Sequence, residues 1–191
     1  MPDDAIDPDD ARSRELAPQW LTSVVVWWDD DRRPRVLAGP GADPLPAGVE
    51  VVHWLTSQDP GGTTPSPEEN ARLLRDLLAW AERTSAAPGT AWRWWPAVGA
   101  SGTDDHAEHG IVVAGMDRPG AAALGDELRQ LAIYEATDGE LRIVRCRDGA
   151  LTDVTPRRWP ADEPAPPGVV GAERVAAWRR TIDDALAAAG P

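Results

Sequence analysis

Short apolar runs separated by polar turns dominate the chain and predict a sheet-rich fold. Runs of this length, rich in valine, isoleucine and tryptophan, are typical of buried β-strands. The Asp-Gly pairs at 138–139 and 148–149 favour tight hairpin turns, so the last strands are expected to form a meander. The predicted strands lie within residues 21–28, 35–37, 49–56, 90–98, 111–115, 132–136, 141–146 and 150–155.

Amphipathic helices are predicted between and after these strands. The first begins with S-P-E-E at 66–69, because serine can cap a helix, proline suits the first helical position and the second glutamate completes a capping box. Leucines at helical spacing carry this helix to about residue 84, and Asn70 lies on the same inward stripe. Asp117 and Pro119 begin a second helix that ends near residue 130, and a third covers 173–188.

The order of elements predicts an α+β fold. From residue 49 the order is β-α-β-β-α-β, the split βαβ core of ferredoxin-like proteins, with helices packed on an antiparallel sheet. An N-terminal hairpin and a C-terminal meander are expected to extend that sheet. A doubly wound α/β sheet is the alternative, but too few residues separate the strands at 90–98 and 111–115 to hold a helix. The predicted organisation is a flexible acidic arm at 1–18, the α+β domain at 19–155, a proline-rich linker at 156–170 and an amphipathic helix at 171–189 packed on the domain.

Composition and charge exclude several classes of protein. With 32 acidic and 19 basic side chains the formal charge is −13, which disfavours nucleic-acid binding through a basic face. The apolar runs are too short to span a membrane, and the acidic residues 1–10 do not resemble a signal peptide. The single cysteine, Cys146, rules out an intramolecular disulfide and suits a reducing compartment, so a cytoplasmic protein is expected.

The 10 tryptophans, in a chain without phenylalanine, are expected mainly in the core, with an aromatic stacking site as the alternative.

Four short motifs occur in a consistent order. They are L-T-S-Q-D-P at 55–60, E-E-N at 68–70, P-A-V-G at 96–99 followed by Glu108, and Q-L-A-I-Y at 130–134. Over about residues 49–146 the chain resembles the bacterial domain-of-unknown-function family 3293. The pattern of that family is a strand ending in T-A-x-N-P, a helix beginning with E-N, a V-G before an acidic residue, and a closing Q-x-A strand. This chain has Ser57 where the family has alanine and Asp59 where it usually has asparagine. The resemblance implies no particular activity.

The motifs also indicate a ligand site. The loop after strand 49–56, the first turn of the first helix and the start of strand 132–136 are expected at one end of the sheet. Polar groups that converge at strand ends beside a helix N-terminus suit an anionic or amide-bearing ligand. The alternative is that Asn70 and Gln130 only bind loop backbone. The candidate ligand-binding residues are Thr56, Ser57, Asp59, Asn70, Gln130 and Tyr134.

A second set of candidates lies in the polar segment 99–110, which is predicted to be a loop. Glu108 and Asp59 are candidate catalytic residues, because two carboxylates in different environments can serve as acid and base. His106 and His109 are weak metal-ligand candidates, with His53 or Asp59 as a further ligand. The H-x-E sequence matches half of a zinc deaminase signature, but the required P-C-x-x-C is absent from the sequence. No cofactor is predicted.

Three functional hypotheses follow. The leading hypothesis is a noncatalytic accessory or regulatory domain that binds a protein partner or small molecule near Thr56, Asn70 and Gln130. The competing hypothesis is a small enzyme that uses Glu108 and Asp59, with or without a metal. The third is an acidic, inhibitor-like protein that acts through its surface charge. Neither a nucleic acid nor a membrane is an expected partner.

Overall fold

A single antiparallel sheet of eight strands organises the protein, in the order β2-β1-β4-β5-β3-β6-β7-β8. The computed structural model describes residues 8–39, 41–101, 105–157 and 171–189. The helices are α1 (Pro8–Leu21), α2 (Pro67–Ser85), α3 (Arg118–Glu127) and α4 (Ala172–Ala189), and a short 3-10 turn covers Pro60–Gly62. The strands are β1 (Val24–Trp28), β2 (Pro34–Ala38), β3 (Val52–Thr56), β4 (Arg93–Ala100), β5 (Ala107–Ala114), β6 (Ala132–Ala136), β7 (Glu140–Arg145) and β8 (Leu151–Pro156).

The predicted ferredoxin-like fold class is wrong. The elements from β3 to β6 follow one another as strand, helix, strand, strand, helix, strand. The sheet does not end with these four strands, however, because β1 pairs along β4 and β7 pairs along β6. The strands expected as extensions thus make up half of one continuous sheet. Because strands twist, an antiparallel sheet of this width curls into a half-barrel and does not remain a small open platform.

The two faces of the sheet carry separate apolar clusters. The first, which we call the three-helix face, packs against α2, α3 and α4. Leucines of α2, alanines of α3 and Trp178 and Ile182 of α4 contribute to its clusters. The second, which we call the α1 face, is packed by Trp20 and Leu21 at the end of α1 and by Leu45 from the loop after β2. The strands β1 and β3 are buried along their whole length, on both sides, and β1 has a continuous apolar sequence for that reason.

The signals that start α2 and α3 act as expected. The Ser66 hydroxyl accepts a hydrogen bond from the Glu69 backbone N–H at 3.2 Å. The Asp117 carboxylate accepts one from the Gly120 N–H at 2.9 Å. These bonds satisfy backbone donors that have no partner within the helix. The predicted helix starts are confirmed.

The N-terminal segment differs from its prediction. Much of the region expected to be a flexible arm belongs to α1, which runs over Pro8–Leu21 and includes Pro18. Its last turn packs against the sheet, so tertiary contacts stabilise a helix that has little amphipathic signal of its own. Of the predicted linker, residues 158–170 lie outside the described part of the chain. No helix formed by the described residues has both the length and the apolar character needed to cross a bilayer.

Candidate functional site

A cavity of about 310 Å³ lies between α1 and the sheet. Leu16 and Trp20 of α1 line one side, and Trp54 of β3 and Tyr134 of β6 line the other. Polar side chains collect at the end of the cavity nearest the loop after β3. These polar residues include Asp59, Ser101, His106, Glu108 and Gln130.

Three of these side chains form a compact group, which we call the carboxylate–histidine cluster. Its members are Asp59, His106 and Glu108, and one ligand atom from each lies within 4.8 Å of the others. The Nε2 atom of His106 is 3.1 Å from Oε1 of Glu108 and 3.5 Å from Oδ2 of Asp59. The Asp59 and Glu108 side chains are 14% and 23% exposed, and that of His106 is 52% exposed. The cluster thus lies where the cavity meets solvent.

Residues 107–109 belong to β5, so the prediction that 99–110 is a loop is wrong. The ladder between β4 and β5 continues to the pairs Gly99–Glu108 and Ala100–Ala107. Side chains alternate along a strand, so Glu108 faces the cavity whereas His109 faces the opposite side. The structure therefore brings His106, Glu108 and Asp59 together but separates His109 from them.

Gly99 provides the space in which the indole of Trp54 lies. A Cβ atom on Gly99 would lie 2.7 Å from two carbons of the Trp54 ring. This close approach requires glycine opposite Glu108. Trp54 also packs against Tyr134, with ring centroids 5.3 Å apart. The aromatic wall of the cavity therefore depends on a residue without a side chain.

Asn70 holds Asp59 at the edge of the cavity. The Nδ2 amide of Asn70 donates to Oδ1 of Asp59 at 2.7 Å, and the Asp59 backbone N–H donates to Oδ1 of Asn70 at 3.3 Å. Asp59 has left-handed backbone angles, with φ 48° and ψ 48°. Such angles are uncommon outside glycine and are better tolerated by aspartate and asparagine.

The remaining predicted ligand residues differ in their surroundings. The Thr56 hydroxyl donates to the His109 carbonyl at 2.9 Å, and the Ser57 hydroxyl donates to the Leu73 carbonyl at 2.8 Å. The Gln130 amide donates to the Gln58 carbonyl at 2.9 Å. These bonds fix the loop after β3. Asp59, Gln130 and Tyr134 line the cavity, whereas Thr56, Ser57 and Asn70 are not part of its lining.

Burial changes the acid–base properties of the cavity groups. Burial raises the pKa of the Glu108 carboxyl, the hydrogen bond from His106 opposes that rise, and the negative charge of Asp59 adds to it. Burial also raises the pKa of the Tyr134 hydroxyl, which donates a hydrogen bond to the Trp20 carbonyl at 2.8 Å. The tyrosine therefore joins the sheet to the end of α1 and remains protonated.

One cavity residue has an unsatisfied donor. Trp54 is 7% exposed, and its indole N–H has no hydrogen-bond partner among the described residues. A buried donor without a partner is costly, so in proteins such groups usually find one.

Neither of the other histidines reaches the cluster. Burial lowers the pKa of His109 to about 4, and its Nε2 atom has no partner within the described part of the chain. His53 is fully buried and lies 3.2 Å from Glu135, whose carboxylate also binds Arg118 and Arg142. The sequence analysis missed this network. A glutamate inside an apolar strand, near a histidine on the neighbouring strand, is the signal that could have revealed it.

The protein has an α+β fold with a curled antiparallel sheet. Its cavity is large enough for a small ligand and is polar at one end. Residues 55–133 match the model of a family described as "Protein of unknown function (DUF3293)". The match confirms the resemblance over that segment, which contains all three cluster residues. Searches among curated proteins and among solved structures found no match.

Proposed function

We propose that the protein binds a small organic molecule in the cavity beneath α1. The polar end of this molecule would lie at the carboxylate–histidine cluster, and its apolar body would lie against Leu16, Trp54 and Tyr134. The observation that carries the proposal is the cavity itself, which joins the aromatic wall of Trp54 and Tyr134 to the carboxylate–histidine cluster.

The composition of the lining supports this choice. Small-molecule sites are concave, are lined mainly by apolar and aromatic side chains, and contain a few polar groups that orient the ligand. The cavity combines aromatic walls with the cluster at one end, and its volume of about 310 Å³ is at the small end of the range for such sites. The best match is therefore a compact molecule with an aromatic or alicyclic body and one polar head.

Benzamide and cyclohexanecarboxamide are suitable probes, because each has such a body with a carbonyl acceptor and an amide donor. Ligand-observed NMR titration should give saturable binding of at least one, with Kd on the order of 1 mM for so few atoms. Ala132 lines the cavity, so Ala132→Trp should fill it and abolish binding. Ala123→Trp, at an exposed position of α3, should leave binding unchanged.

Two results would overturn the proposal. One is the absence of saturable binding of both probes to the wild-type protein. The other is equal affinity for the wild-type protein and a folded Ala132→Trp variant. If thermal unfolding shows that Ala132→Trp does not fold, Ser23→Trp at the rim of the same cavity replaces it.

The proposal keeps the small-molecule part of the leading hypothesis but moves the site from Thr56 and Asn70 to the cavity. Binding to a protein partner and an inhibitor-like role for the acidic surface stay predictions. The enzyme hypothesis also stays a prediction. Its favourable feature is that Glu108 and Asp59 line the same cavity.

A further inference from the structure

We infer that Asp59, His106 and Glu108 bind a divalent transition-metal ion at the polar end of the cavity. This inference rests on the proposed function for the role of the ion, which would hold the head group of the bound molecule. The binding of the ion itself can be measured without any organic ligand.

The distances within the cluster suit a shared ion. Ligand atoms that bind one metal at about 2.0–2.1 Å in a tetrahedral arrangement lie about 3.3 Å from one another. The Nε2 atom of His106 lies 3.1 Å from the Glu108 carboxylate and 3.5 Å from the Asp59 carboxylate. Small rotations of these side chains would therefore place all three atoms around one ion.

The electrostatics of the cluster also favour a cation. Two carboxylates face the same imidazole nitrogen, which carries at most one proton. One N–H cannot form a full-strength hydrogen bond with both acids, and the two negative charges repel each other. An ion with two positive charges would attract both carboxylates and accept the lone pair of a neutral imidazole.

The outer contacts of Asp59 leave one oxygen available. Its Oδ1 atom accepts the 2.7 Å hydrogen bond from Asn70, whereas its Oδ2 atom faces His106. Ligating carboxylates in metal sites are commonly held by an outer hydrogen bond of this kind. Trp54, whose indole N–H has no partner among the described residues, lines the same cavity as the cluster.

The donor set narrows the choice of ion. One imidazole nitrogen and two carboxylates suit zinc, manganese or iron(II), whereas calcium and magnesium prefer oxygen ligands alone. The single thiol of the chain, Cys146, is not part of the cluster. Three protein ligands leave at least one coordination position for a small molecule with a carboxylate or hydroxamate head.

Zinc titration of the chelator-treated, tag-free full chain tests the inference by isothermal titration calorimetry. We expect one zinc ion per chain. His106→Ala and Glu108→Gln should each weaken binding by more than about 100-fold, because losing an outer contact alone costs about 10–100-fold. Asp105→Asn removes an acidic charge from a fully exposed position one residue before His106, so its affinity should match that of the wild type.

Benzohydroxamate separates the inference from the proposed function. Its affinity should increase when zinc is bound, because the hydroxamate can chelate the ion, whereas the affinity for benzamide should be similar with and without the ion. Two results would overturn the metal site even if benzamide binds. One is that zinc does not bind stoichiometrically to the wild type. The other is that neither His106→Ala nor Glu108→Gln weakens zinc binding. Zinc binding that depends on both residues, without binding of benzamide or cyclohexanecarboxamide, would support the metal site and overturn only the proposed organic ligand.

Discussion

Asn70 and Asp59 form a reciprocal pair of hydrogen bonds, in which the Asn70 amide donates to the Asp59 carboxylate and the Asp59 N–H donates to the Asn70 carbonyl oxygen. Asn70 lies in the first turn of α2, and Asp59 lies in a loop with left-handed backbone angles. The pair therefore sets the position of a cluster carboxylate from outside the cavity.

Asn70→Ala should weaken zinc binding by about 10–100-fold, because Asp59 would lose the contact that orients it. It should also lower the free energy of unfolding by about 1–2 kcal/mol through the lost hydrogen bonds. Calorimetric zinc titration and urea unfolding measure the two effects. Glu82→Gln, an exposed change on the same helix, is the control. Unchanged zinc affinity in Asn70→Ala would contradict the positioning role.

Gly99→Ala should destabilise the protein by about 1–3 kcal/mol, because the new methyl group would lie 2.7 Å from the Trp54 ring. Moving that ring would also change the cavity wall, so benzamide affinity should fall. Thermal unfolding and NMR titration test both effects. Gly139→Ala is the matched control, since its Cβ would meet no atom within 4 Å. Equal stability of the two variants would disprove the close approach.

The stability of the protein should decrease as the pH falls below about 6.5, the usual pKa of histidine. Burial lowers the pKa of His53, so the unfolded chain takes up a proton at a pH where the folded chain does not. The hydrogen bond from Arg118 is the largest cause that lowers the pKa of Glu135 to about 2, so a further loss is expected below about 4.5.

Urea unfolding of wild type and His53→Gln at pH 7 and pH 5.5 isolates the histidine effect. The difference in unfolding free energy between the two pH values should be smaller in the variant, by about 1.4 kcal/mol at most for each unit by which the folded pKa is lowered. His109 contributes equally in both proteins. An identical pH dependence in the two proteins would argue against a neutral, buried His53.

Cys146 should be unreactive in the folded protein. It is 3% exposed, and burial raises the pKa of its thiol to about 12. Since the thiolate is the reactive form, its reaction with a disulfide reagent at pH 8 should be at least about 100-fold slower in buffer than in urea. Absorbance of the released thiol measures both rates. Equal rates would mean that the packing around Cys146, which directly follows β7, opens readily.

Local signals in the sequence predicted local structure well. The S-P-E-E motif identified the start of α2, and the two Asp-Gly pairs identified the antiparallel pairs of β6 with β7 and of β7 with β8. Capping and tight turns depend on a few neighbouring residues, so short motifs are enough to predict them.

Long-range structure was harder to predict. The pairing of β1 with β4 joins segments that are far apart in the chain, and no local pattern specifies it. The α1 helix is stabilised by contact with the sheet, so its acidic sequence indicated an arm. The polar residues of the 99–110 segment indicated a loop, although strand pairing continues through Ala107 and Glu108.

The candidate site combines both kinds of information. His106, Glu108 and Asp59 were each considered from the sequence, and the structure places them within one cluster. The alternation of β5 separates His109 from them, which a strand assignment for 107–109 would have predicted. The aromatic wall and the contribution of α1 depend on tertiary packing, so the sequence contained no signal for these two parts of the cavity.

The cavity is assembled from two separable parts of the chain. The carboxylate–histidine cluster and Gln130 lie within the segment that matches the family, whereas Leu16 and Trp20 come from a helix that precedes that segment. A related chain with the same segment but a different helix before it would retain the chemistry at the polar end of the cavity and accept a ligand of another shape. One scaffold could then acquire new ligand specificities through changes in that helix alone.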